Sequence, residues 1–323
     1  MNFSDLQLDP QLLNGVERLG FEEPTQIQAQ AIPHILSTTQ DLIALAQTGT
    51  GKTGAFSLPC LQKIDTENSL PQLLILAPTR ELALQIARDV KKFSKFKRGL
   101  KSVAVYGGAD VHTQARALKN GCQVVVGTPG RTLDFIRRGK LHLEEVRMVV
   151  LDEADEMLKM GFQEDLEAIL AETPESKQTL LFSATMPKSI ERIAARYMHE
   201  PHRITVGRKN VGASNIEHCY FMIHPQDRYA VLKRLVDSVP TMYGIIFCRT
   251  RQETNDIVTK LRQDGYDVDL ISGELSQKQR DYVMRQFRQR KLQLLVATDV
   301  AARGIDVNDL SHIINFNLPD DPE

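Results

Sequence analysis

Residues 42–53 read Leu-Ile-Ala-Leu-Ala-Gln-Thr-Gly-Thr-Gly-Lys-Thr, an apolar run that passes directly into a glycine-rich segment. A glycine-rich turn that leaves a buried strand and opens a helix presents successive backbone N–H groups to phosphate oxygens. Lys52 is then placed to reach the β- and γ-phosphates, and the Thr53 hydroxyl to face Mg²⁺. The stretch therefore predicts a nucleoside triphosphate site in an α/β fold. The predicted phosphate-binding residues are Gln47, Thr48, Gly49, Thr50, Gly51, Lys52 and Thr53.

A second apolar run, from Met148 to Leu151, ends in Asp152-Glu153-Ala154-Asp155. A carboxylate at the end of a buried strand can hold Mg²⁺ directly or through water, so Asp152 joins Thr53 as a predicted metal ligand. Glu153 is placed to orient and deprotonate an attacking water. The alternative interpretation is a negatively charged helix start, which the helix dipole favours in any case.

Short apolar runs recur along the chain with helical patterns between them, which is typical of parallel strands buried on both faces. A length of 323 residues exceeds one ordinary core, so two domains are expected. We predict two α/β units with parallel sheets, residues 1–206 and 215–323, joined by a polar linker at 207–214. The predicted strands are Leu42–Ala46, Leu73–Ala77, Ser102–Tyr106, Gln123–Val126, Met148–Leu151, Thr179–Phe182, His218–Ile223, Gly244–Cys248, Val268–Ile271, Leu292–Ala297 and His312–Asn317.

The composition is 25% charged residues with a formal net charge of -1, and no apolar run approaches the roughly 20 residues that span a bilayer. The first residues lack the basic and apolar regions of a signal peptide, so a cytoplasmic location without membrane association is expected. The four cysteines (Cys60, Cys122, Cys219 and Cys248) are widely spaced, which indicates neither a disulfide framework nor a zinc site.

One segment near the end of a helical pattern is strongly basic and carries two aromatic residues. A surface for nucleic acid and a solvated helix end, where cations complement the dipole, are both consistent with this pattern. The segment contains Arg88, Lys91, Lys92, Lys95, Lys97, Arg98 and Lys101, with Phe93 and Phe96 between them.

Taken in order, these loops resemble the motif series of bacterial DEAD-box ATP-dependent RNA helicases of superfamily 2, from Phe3 to Glu323. The resemblance implies two RecA-like domains, of which the first binds ATP. Ala46, where the general phosphate-loop template has glycine, is the usual residue of this family. Within residues 1–30, the stretch from Gly20 to Gln28 looks like the Q motif. There Gln28 would read the adenine edge and Phe21 would stack on the base.

The resemblance also implies roles for loops between strands and helices. Without the resemblance, these loops would be interpreted as capped helix starts with structural arginines, or as surface charge. Its RNA-contacting residues would be Pro78, Thr79, Arg80, Gly107, Gly108, Thr128, Pro129, Gly130 and Arg131 in the first unit, and Arg249, Thr250, Gln277, Arg280, Thr298 and Asp299 in the second. Its catalytic set would be Lys52, Asp152, Glu153, Asp155, Ser183 and Thr185. The hydroxyls of Ser183 and Thr185 would bond to Asp155 and sense the nucleotide. Gly304 and Asp306 would approach the nucleotide from the second unit.

By this resemblance the protein hydrolyses ATP with Mg²⁺ and couples hydrolysis to sequence-nonspecific RNA binding and local duplex unwinding. Two alternatives stay open, an ATP-dependent RNA clamp or adaptor that does not unwind and a DNA translocase. The sequence is compatible with ribonucleoprotein or ribosome-assembly partners, and also with a role in RNA decay. The arginine-rich final motif of the family is absent, so we expect a truncated second domain. We also expect nucleotide binding to exceed turnover, because an arginine finger commonly stabilises phosphoryl transfer.

Overall fold

The computed structural model describes residues 1–207, 216–298, 301, 307 and 309–318. The chain divides into two units, Met1–Val211 and Gly212–Glu323. Apart from Gly207, the predicted linker at 207–214 lies outside the described residues, so the predicted domain limits stay predictions.

Seven parallel strands form the sheet of the first unit, in the order β3-β4-β2-β5-β6-β1-β7. The aliphatic runs of β1, β2, β4 and β5 are buried on both faces, which is why these strands lack the polar alternation of a half-exposed strand. The strands are β1 Leu42–Leu45, β2 Leu73–Leu76, β3 Ser102–Val105, β4 Val124–Gly127, β5 Met148–Asp152, β6 Gln178–Ser183 and β7 His202–Thr205.

Helices cover both faces of this sheet, and each face has its own apolar core. Successive residues of β2 show the division, because Leu73 packs into one core and Leu74 into the other. A short 3-10 helix, Phe3–Leu6, precedes the α-helices. These are α1 Pro10–Arg18, α2 Gln26–Ser37, α3 Lys52–Gln62, α4 Arg80–Phe93, α5 Val111–Lys119, α6 Pro129–Arg137, α7 Ala154–Lys159, α8 Gln163–Ala171 and α9 Lys188–Tyr197.

The second unit repeats the plan with four parallel strands in the order β11-β8-β10-β9. The strands are β8 Gly244–Cys248, β9 Val268–Ile271, β10 Leu294–Thr298 and β11 His312–Asn315. A 3-10 helix, Pro225–Asp227, precedes α10 Arg228–Ser238, α11 Arg251–Gln263 and α12 Gln277–Arg288. The predicted fold class of two parallel-sheet α/β units is thus confirmed. None of the helices in the described residues is long and apolar enough to cross a membrane.

One strand prediction was wrong, and one strand was missed. The run His218–Ile223 forms no regular structure, and Tyr220 and Met222 are 86% and 91% exposed. Its β-type composition alone does not make a strand, because a strand requires a hydrogen-bonded neighbour. Conversely, His202–Thr205 is an edge strand, β7, in which only Ile204 is buried, so its sequence looks like a polar loop.

A buried carboxylate joins three strands at the end of the sheet opposite to the phosphate-binding loop. Asp41 is 4% exposed and lies directly before β1. Its Oδ1 accepts a hydrogen bond from the Thr179 amide at 2.6 Å, and its Oδ2 accepts one from the His199 amide at 2.7 Å. Burial raises the pKa of Asp41, while these two backbone donors oppose the rise. Asp41 thereby connects β1 to the start of β6 and to the turn that leads into β7.

We expect Asp41→Ala to lower the free energy of unfolding by about 2–3 kcal/mol, because the buried Thr179 amide and the His199 amide would both lose their acceptor. Urea unfolding at pH 7 measures the change. The matched control is Asp65→Ala, since Asp65 is exposed and its Oδ1 accepts one bond from the Glu67 amide. A control that loses as much stability as Asp41→Ala would contradict the assignment.

Candidate functional site

The strand order of the first sheet separates its loops into two neighbouring groups. Strands β5, β6 and β1 are adjacent, and their carboxyl ends carry the acidic residues 152–155, the turn 183–185 and the glycine-rich loop 46–53. Strands β3, β4 and β2 are also adjacent, and their carboxyl ends carry the loops predicted to contact RNA. Ligands of open α/β sheets bind at this edge. The fold therefore places two candidate sites side by side along one edge.

The glycine-rich loop folds back on itself through its lysine. Gly49 and Gly51 have φ angles of 78° and 89°, a left-handed conformation that glycine adopts without strain. Gly51 directly precedes α3, so the amides of the first helical turn point at the loop. Lys52 is 6% exposed, and its Nζ donates to the Ala46 carbonyl at 3.0 Å. The ammonium group of Lys52 is thus buried within the loop, next to the amides of the first turn of α3.

Gln28 is built into this loop. Its side chain is 5% exposed, its Oε1 accepts from the Thr25 amide at 2.9 Å, and its Nε2 donates to the Gly51 carbonyl at 3.0 Å. Each end of the amide keeps one further hydrogen-bonding position, which is the capacity that the predicted reading of adenine requires. Phe21 is 45% exposed, with its ring centroid 6.4 Å from that of Phe93. An exposed ring of this kind is available for stacking on a base.

The glycine at position 54, which sequence reasoning missed, completes this contact. A Cβ at Gly54 would lie 2.7 Å from Gln28 Nε2, and one at Gly51 would lie 2.6 Å from the same atom. Gly54 lies inside α3, where glycine is otherwise unfavourable. A glycine in the first turn of a helix after a phosphate loop is the sequence signal that could have indicated it.

Asp152, which is buried, and Glu153, which is half-buried, form an acidic pair beside Lys52. Burial raises the pKa of Asp152 to about 6, although Lys52 opposes the rise. Burial, with the neighbouring charge of Asp152, raises the pKa of Glu153 to about 7. The Glu153 backbone has a φ of 50°, and its amide donates to Asp152 Oδ1 at 3.0 Å. This unusual backbone places the two carboxyl groups at the very start of α7.

Asp155 is satisfied by the turn that follows β6. Its Oδ2 accepts from both the amide and the hydroxyl of Thr185, at 2.9 and 2.8 Å. Its own amide donates to Ser183 Oγ at 3.3 Å. The predicted hydroxyl contacts to Asp155 are thus present in the geometry, with Thr185 on the carboxylate and Ser183 on the backbone. A movement of the turn 183–185 would therefore displace the acidic residues 152–155, and the reverse.

The residues predicted to hold a metal are suited to a hard cation with few protein ligands. Asp152 is 3% exposed, and burial together with Asp155 disfavours its negative charge, so a nearby cation would stabilise the ionised form. Thr53 lies in the first turn of α3, one residue after Lys52. No group of three or more His, Cys, Asp or Glu residues in the described ranges could hold a metal ion. One carboxylate and one hydroxyl suit Mg²⁺, which takes its remaining ligands from phosphates and water.

The loops after β2, β3 and β4 support one another. The Arg80 guanidinium lies 4.8 Å from the centroid of the Tyr106 ring, and Arg131 Nη1 donates to the Ala109 carbonyl at 3.4 Å. Thr79 caps α4 by accepting from the Leu82 amide. Of the other predicted residues here, Gly107, Gly108 and Gly130 are exposed, whereas Pro78, Thr128 and Pro129 are buried. The buried side chains of Pro78, Thr128 and Pro129 therefore contribute by shaping the backbone of these loops.

Sequence reasoning missed the residues that hold this group of loops in place. The amide of Gln114 is bonded to both the N–H and the carbonyl of Tyr106, at 3.0 and 3.1 Å. Gln114 lies on α5 and is buried, so its side chain fixes the backbone at the carboxyl end of β3. At Gly127, a Cβ would lie 2.2 Å from Thr132 Oγ1, so a larger residue cannot end β4 there. A polar residue at a core position of a helix was the available signal for Gln114.

In the second unit, the predicted residues follow three adjacent strands, β8, β10 and β9. Arg249 is exposed and its Nη2 donates to the Leu318 carbonyl at 3.3 Å, while Thr250 caps α11. Arg280 donates to the Ala301 carbonyl at 2.6 Å, which gives it a structural contact as well as its predicted role. Gln277 bonds to Asp281 at 3.0 Å, and Thr298 accepts from the Ala301 amide. Three further predicted residues, Asp299, Gly304 and Asp306, lie outside the described residues.

Comparison with protein families gives two matches that together extend over both units. Residues 25–193 match the model of the DEAD/DEAH box helicases. The chain belongs to this family. Residues 227–323 match the helicase conserved C-terminal domain. The resemblance to bacterial DEAD-box helicases that the motifs indicated is thus confirmed.

Curated relatives extend the similarity over nearly the whole chain. It is 47% identical over 321 residues to the DEAD-box ATP-dependent RNA helicase CshA of Geobacillus kaustophilus, covering 99% of this chain and 68% of the relative. It is 49% identical to the protein of the same name from Bacillus cereus, covering 99% of this chain and 61% of the relative. The chain thus spans roughly three fifths to two thirds of the length of such relatives.

Solved structures of other DEAD-box proteins share the fold. S. cerevisiae Dbp5 bound to RNA and ADP BeF3 matches with a TM-score of 0.88 and 33% identity, covering 98% of this chain and 81% of that one. A DEAD box protein from the hyperthermophile Methanococcus jannaschii is 43% identical with a TM-score of 0.62, covering 99% and 86%.

We expect Gly54→Ala to weaken nucleotide binding and to destabilise the protein by about 1–2 kcal/mol, because its Cβ would displace the Gln28 amide. In the Gln28→Ala background the same change should be neutral or stabilising, since the space is then open and alanine favours the helix. Thermal unfolding and nucleotide titration of the four proteins measure this double-mutant cycle. Additive effects would show that Gly54 and Gln28 do not interact.

We expect Glu153→Gln to raise the free energy of unfolding at pH 8 by about 1–3 kcal/mol, since ionised Glu153 is penalised in the folded state. A raised pKa means that stability falls as pH rises from the unfolded value near 4.5 through about 7. The difference between variant and parent should therefore vanish below about pH 4.5. Denaturant unfolding from pH 4 to 8 tests this, with exposed Glu164→Gln as the control.

Proposed function

We propose that this protein is an ATP-dependent RNA helicase, which couples ATP binding and hydrolysis to RNA binding and local duplex unwinding. The observation that carries the proposal is the strand order. In that order the phosphate loop, the acidic pair Asp152 and Glu153, and the bonded Asp155–Thr185 pair lie at three adjacent strand ends, directly beside the predicted RNA-contacting loops. The names of the CshA relatives and the RNA-bound Dbp5 structure support the same activity.

ATP binding begins with an exchange of partners at Lys52. The free amides at the start of α3 and the Lys52 ammonium together attract the phosphates, and Lys52 leaves the Ala46 carbonyl to reach them. Phe21 stacks on the adenine, and the remaining hydrogen-bonding positions of Gln28 select its edge. Because Gln28 is also bonded to Gly51, recognition of the base is linked mechanically to the shape of the phosphate loop.

General-base catalysis is most efficient when the pKa of the base lies near the working pH, and the raised pKa of Glu153 in the ligand-free protein favours this role. Burial, reinforced by Asp152, raises its pKa to about 7, so near neutral pH it can accept a proton from water and release it again. Asp152 and Thr53 are the residues that would hold Mg²⁺. When bound, the ion neutralises negative charge on the β- and γ-phosphates.

RNA contacts come from backbone and arginine groups at the other three strand ends. Arg80 and Arg131 are held by Tyr106 and the Ala109 carbonyl, so their charges are positioned before RNA arrives. Such contacts bind phosphates and do not distinguish bases. Similar contacts from the second unit would be made by the exposed Arg249, by Thr250 before α11, by Gln277 and Arg280 in α12, and by Thr298 at the end of β10. The predicted limits of the two domains are 1–206 and 215–323.

The link between the two activities passes through Asp155. Its carboxylate takes both donors of Thr185, and its backbone bonds to Ser183, so the turn after β6 cannot shift without disturbing the acidic residues. We further propose a cytoplasmic setting with ribonucleoprotein partners, since sequence-nonspecific contacts leave the choice of RNA to other proteins or segments.

The full-length protein with Glu153→Gln tests the proposal. We expect it to retain ATP and RNA binding while RNA-stimulated phosphate release falls about 10²- to 10⁴-fold, as for removal of a general base. Equilibrium binding, phosphate release and strand separation of a short RNA duplex are measured in parallel, with Glu164→Gln as the control.

Phosphate release by the parent protein that is indifferent to RNA would contradict the proposed coupling. RNA-stimulated release without strand separation would instead identify an RNA clamp. Equal stimulation by matched DNA would point to a DNA-dependent enzyme, because only RNA offers the 2′-hydroxyl.

A further inference from the structure

One strongly charged surface of the first unit is not used by either candidate site. Residues 88–101 carry seven cationic side chains and a single carboxylate, Asp89, whereas the whole chain has a formal net charge of -1. Six of the cations are exposed in the structure and are called the basic patch from here on. They are Arg88, Lys91, Lys92, Lys95, Arg98 and Lys101.

The basic patch is available to a ligand. Lys92 pairs with Asp89 at 2.9 Å, but within the part of the chain that the structure describes the other five members have no side-chain hydrogen bond or ion pair. Lys97 is different, because its Nζ donates to the carbonyls of Leu61 and Gln62 at the end of α3. The structure therefore divides the basic segment of the sequence into one lysine that caps a helix and six that face outward.

The basic patch is distant from the predicted RNA-contacting loops. Helix α4 begins at Arg80, beside those loops, and ends at Phe93, which is about 20 Å away at 1.5 Å per residue. Lys101 precedes β3, at the opposite end of that strand from Gly107 and Gly108. The basic patch thus lies at the amino ends of the strands, whereas both candidate sites lie at the carboxyl ends.

An exposed aromatic ring among these cations indicates what kind of ligand fits. Phe96 is 39% exposed, while the neighbouring Phe93 is buried in the core. Cations that follow a phosphate backbone, with an aromatic ring on which a base can stack, are the usual elements of single-strand binding. An acidic protein segment would use the charges alone.

We propose that the basic patch, with Phe96, is a second binding surface for single-stranded RNA. It rests on the proposed function, because a strand already bound at the loops of the same unit has a high effective concentration at the patch. The patch would hold the part of a long RNA that extends beyond the loops. It would therefore raise affinity for long RNA without changing the chemistry of ATP hydrolysis.

The test is a fourfold variant, Lys91→Gln, Lys95→Gln, Arg98→Gln and Lys101→Gln, in the full-length protein. Its matched control removes the same charge from exposed residues elsewhere in the first unit, by Arg18→Gln, Arg137→Gln, Lys140→Gln and Arg192→Gln. Binding is measured over a range of salt for an RNA of roughly 10 nucleotides, within common single-strand site sizes, and for one about four times longer. Phe96→Ala is measured alongside, and thermal unfolding confirms that each variant is folded.

We expect the basic-patch variant to bind the long RNA at least tenfold more weakly and to bind the short RNA as the parent does. For the long RNA, the slope of log K against log salt should fall by about 1–3, since each lost phosphate contact contributes about 0.7. Phe96→Ala should weaken long-RNA binding about fivefold or more through lost stacking. Phosphate release stimulated by the short RNA should be unchanged, which separates this proposal from the proposed function.

Three results would overturn the proposal. Unchanged long-RNA binding would show that the basic patch does not contact RNA. An equal loss in the control variant would show a general charge effect. A variant that loses binding to a polyglutamate peptide but not to long RNA would assign the patch to acidic proteins.

Discussion

Burial of both faces of the first sheet is the constraint on which the rest of this structure depends. Strands β1, β2, β4 and β5 are aliphatic along almost their whole length, because helices cover them on either side. Polar chemistry is therefore confined to the points where strands end. The carboxyl ends carry the glycine-rich loop, the acidic residues and the arginine loops, while the amino ends carry Asp41 and the basic patch. Each functional feature thus lies at either the carboxyl or the amino ends of the strands of the same buried sheet.

The buried carboxylates at these edges differ in how far the protein satisfies them. Asp41 accepts two backbone amides and joins three strands, and Asp155 takes two donors from Thr185. Among the residues that the structure describes, Asp152 accepts one hydrogen bond, from the Glu153 amide, and burial raises the pKa of both Asp152 and Glu153. Stability favours satisfied groups, so an acidic pair with so few donors marks a position where a ligand completes the structure. The contrast separates acids that hold protein elements together, Asp41 and Asp155, from the pair proposed to act on the nucleotide and its water.

The sequence predicted the elements with strong local signals and missed those that depend on neighbours. Buried strands such as β1 and β5 were recognisable because their aliphatic runs need no partner to be identified. The polar edge strand β7 was missed and the run at 218–223 was wrongly assigned, because pairing decides both. The order of the strands could not be predicted from the sequence, since it depends on long-range contacts. Gln28 and Arg80 were named from the resemblance to the family. The residues beside them, Gly54 next to Gln28 and Tyr106 with Gln114 next to Arg80, carry no motif and emerge only from packing.

The bond between Lys52 and the Ala46 carbonyl has a consequence for which anions the loop retains. An anion that reaches the loop competes with a carbonyl oxygen of the protein for the ammonium group. Inorganic phosphate offers few simultaneous contacts and gains little from that exchange, whereas a polyphosphate can also engage the amides at the start of α3. The loop would thus discriminate by the number of phosphates in its ligand. The internal acceptor would thus favour ligands with several phosphate groups over anions with one.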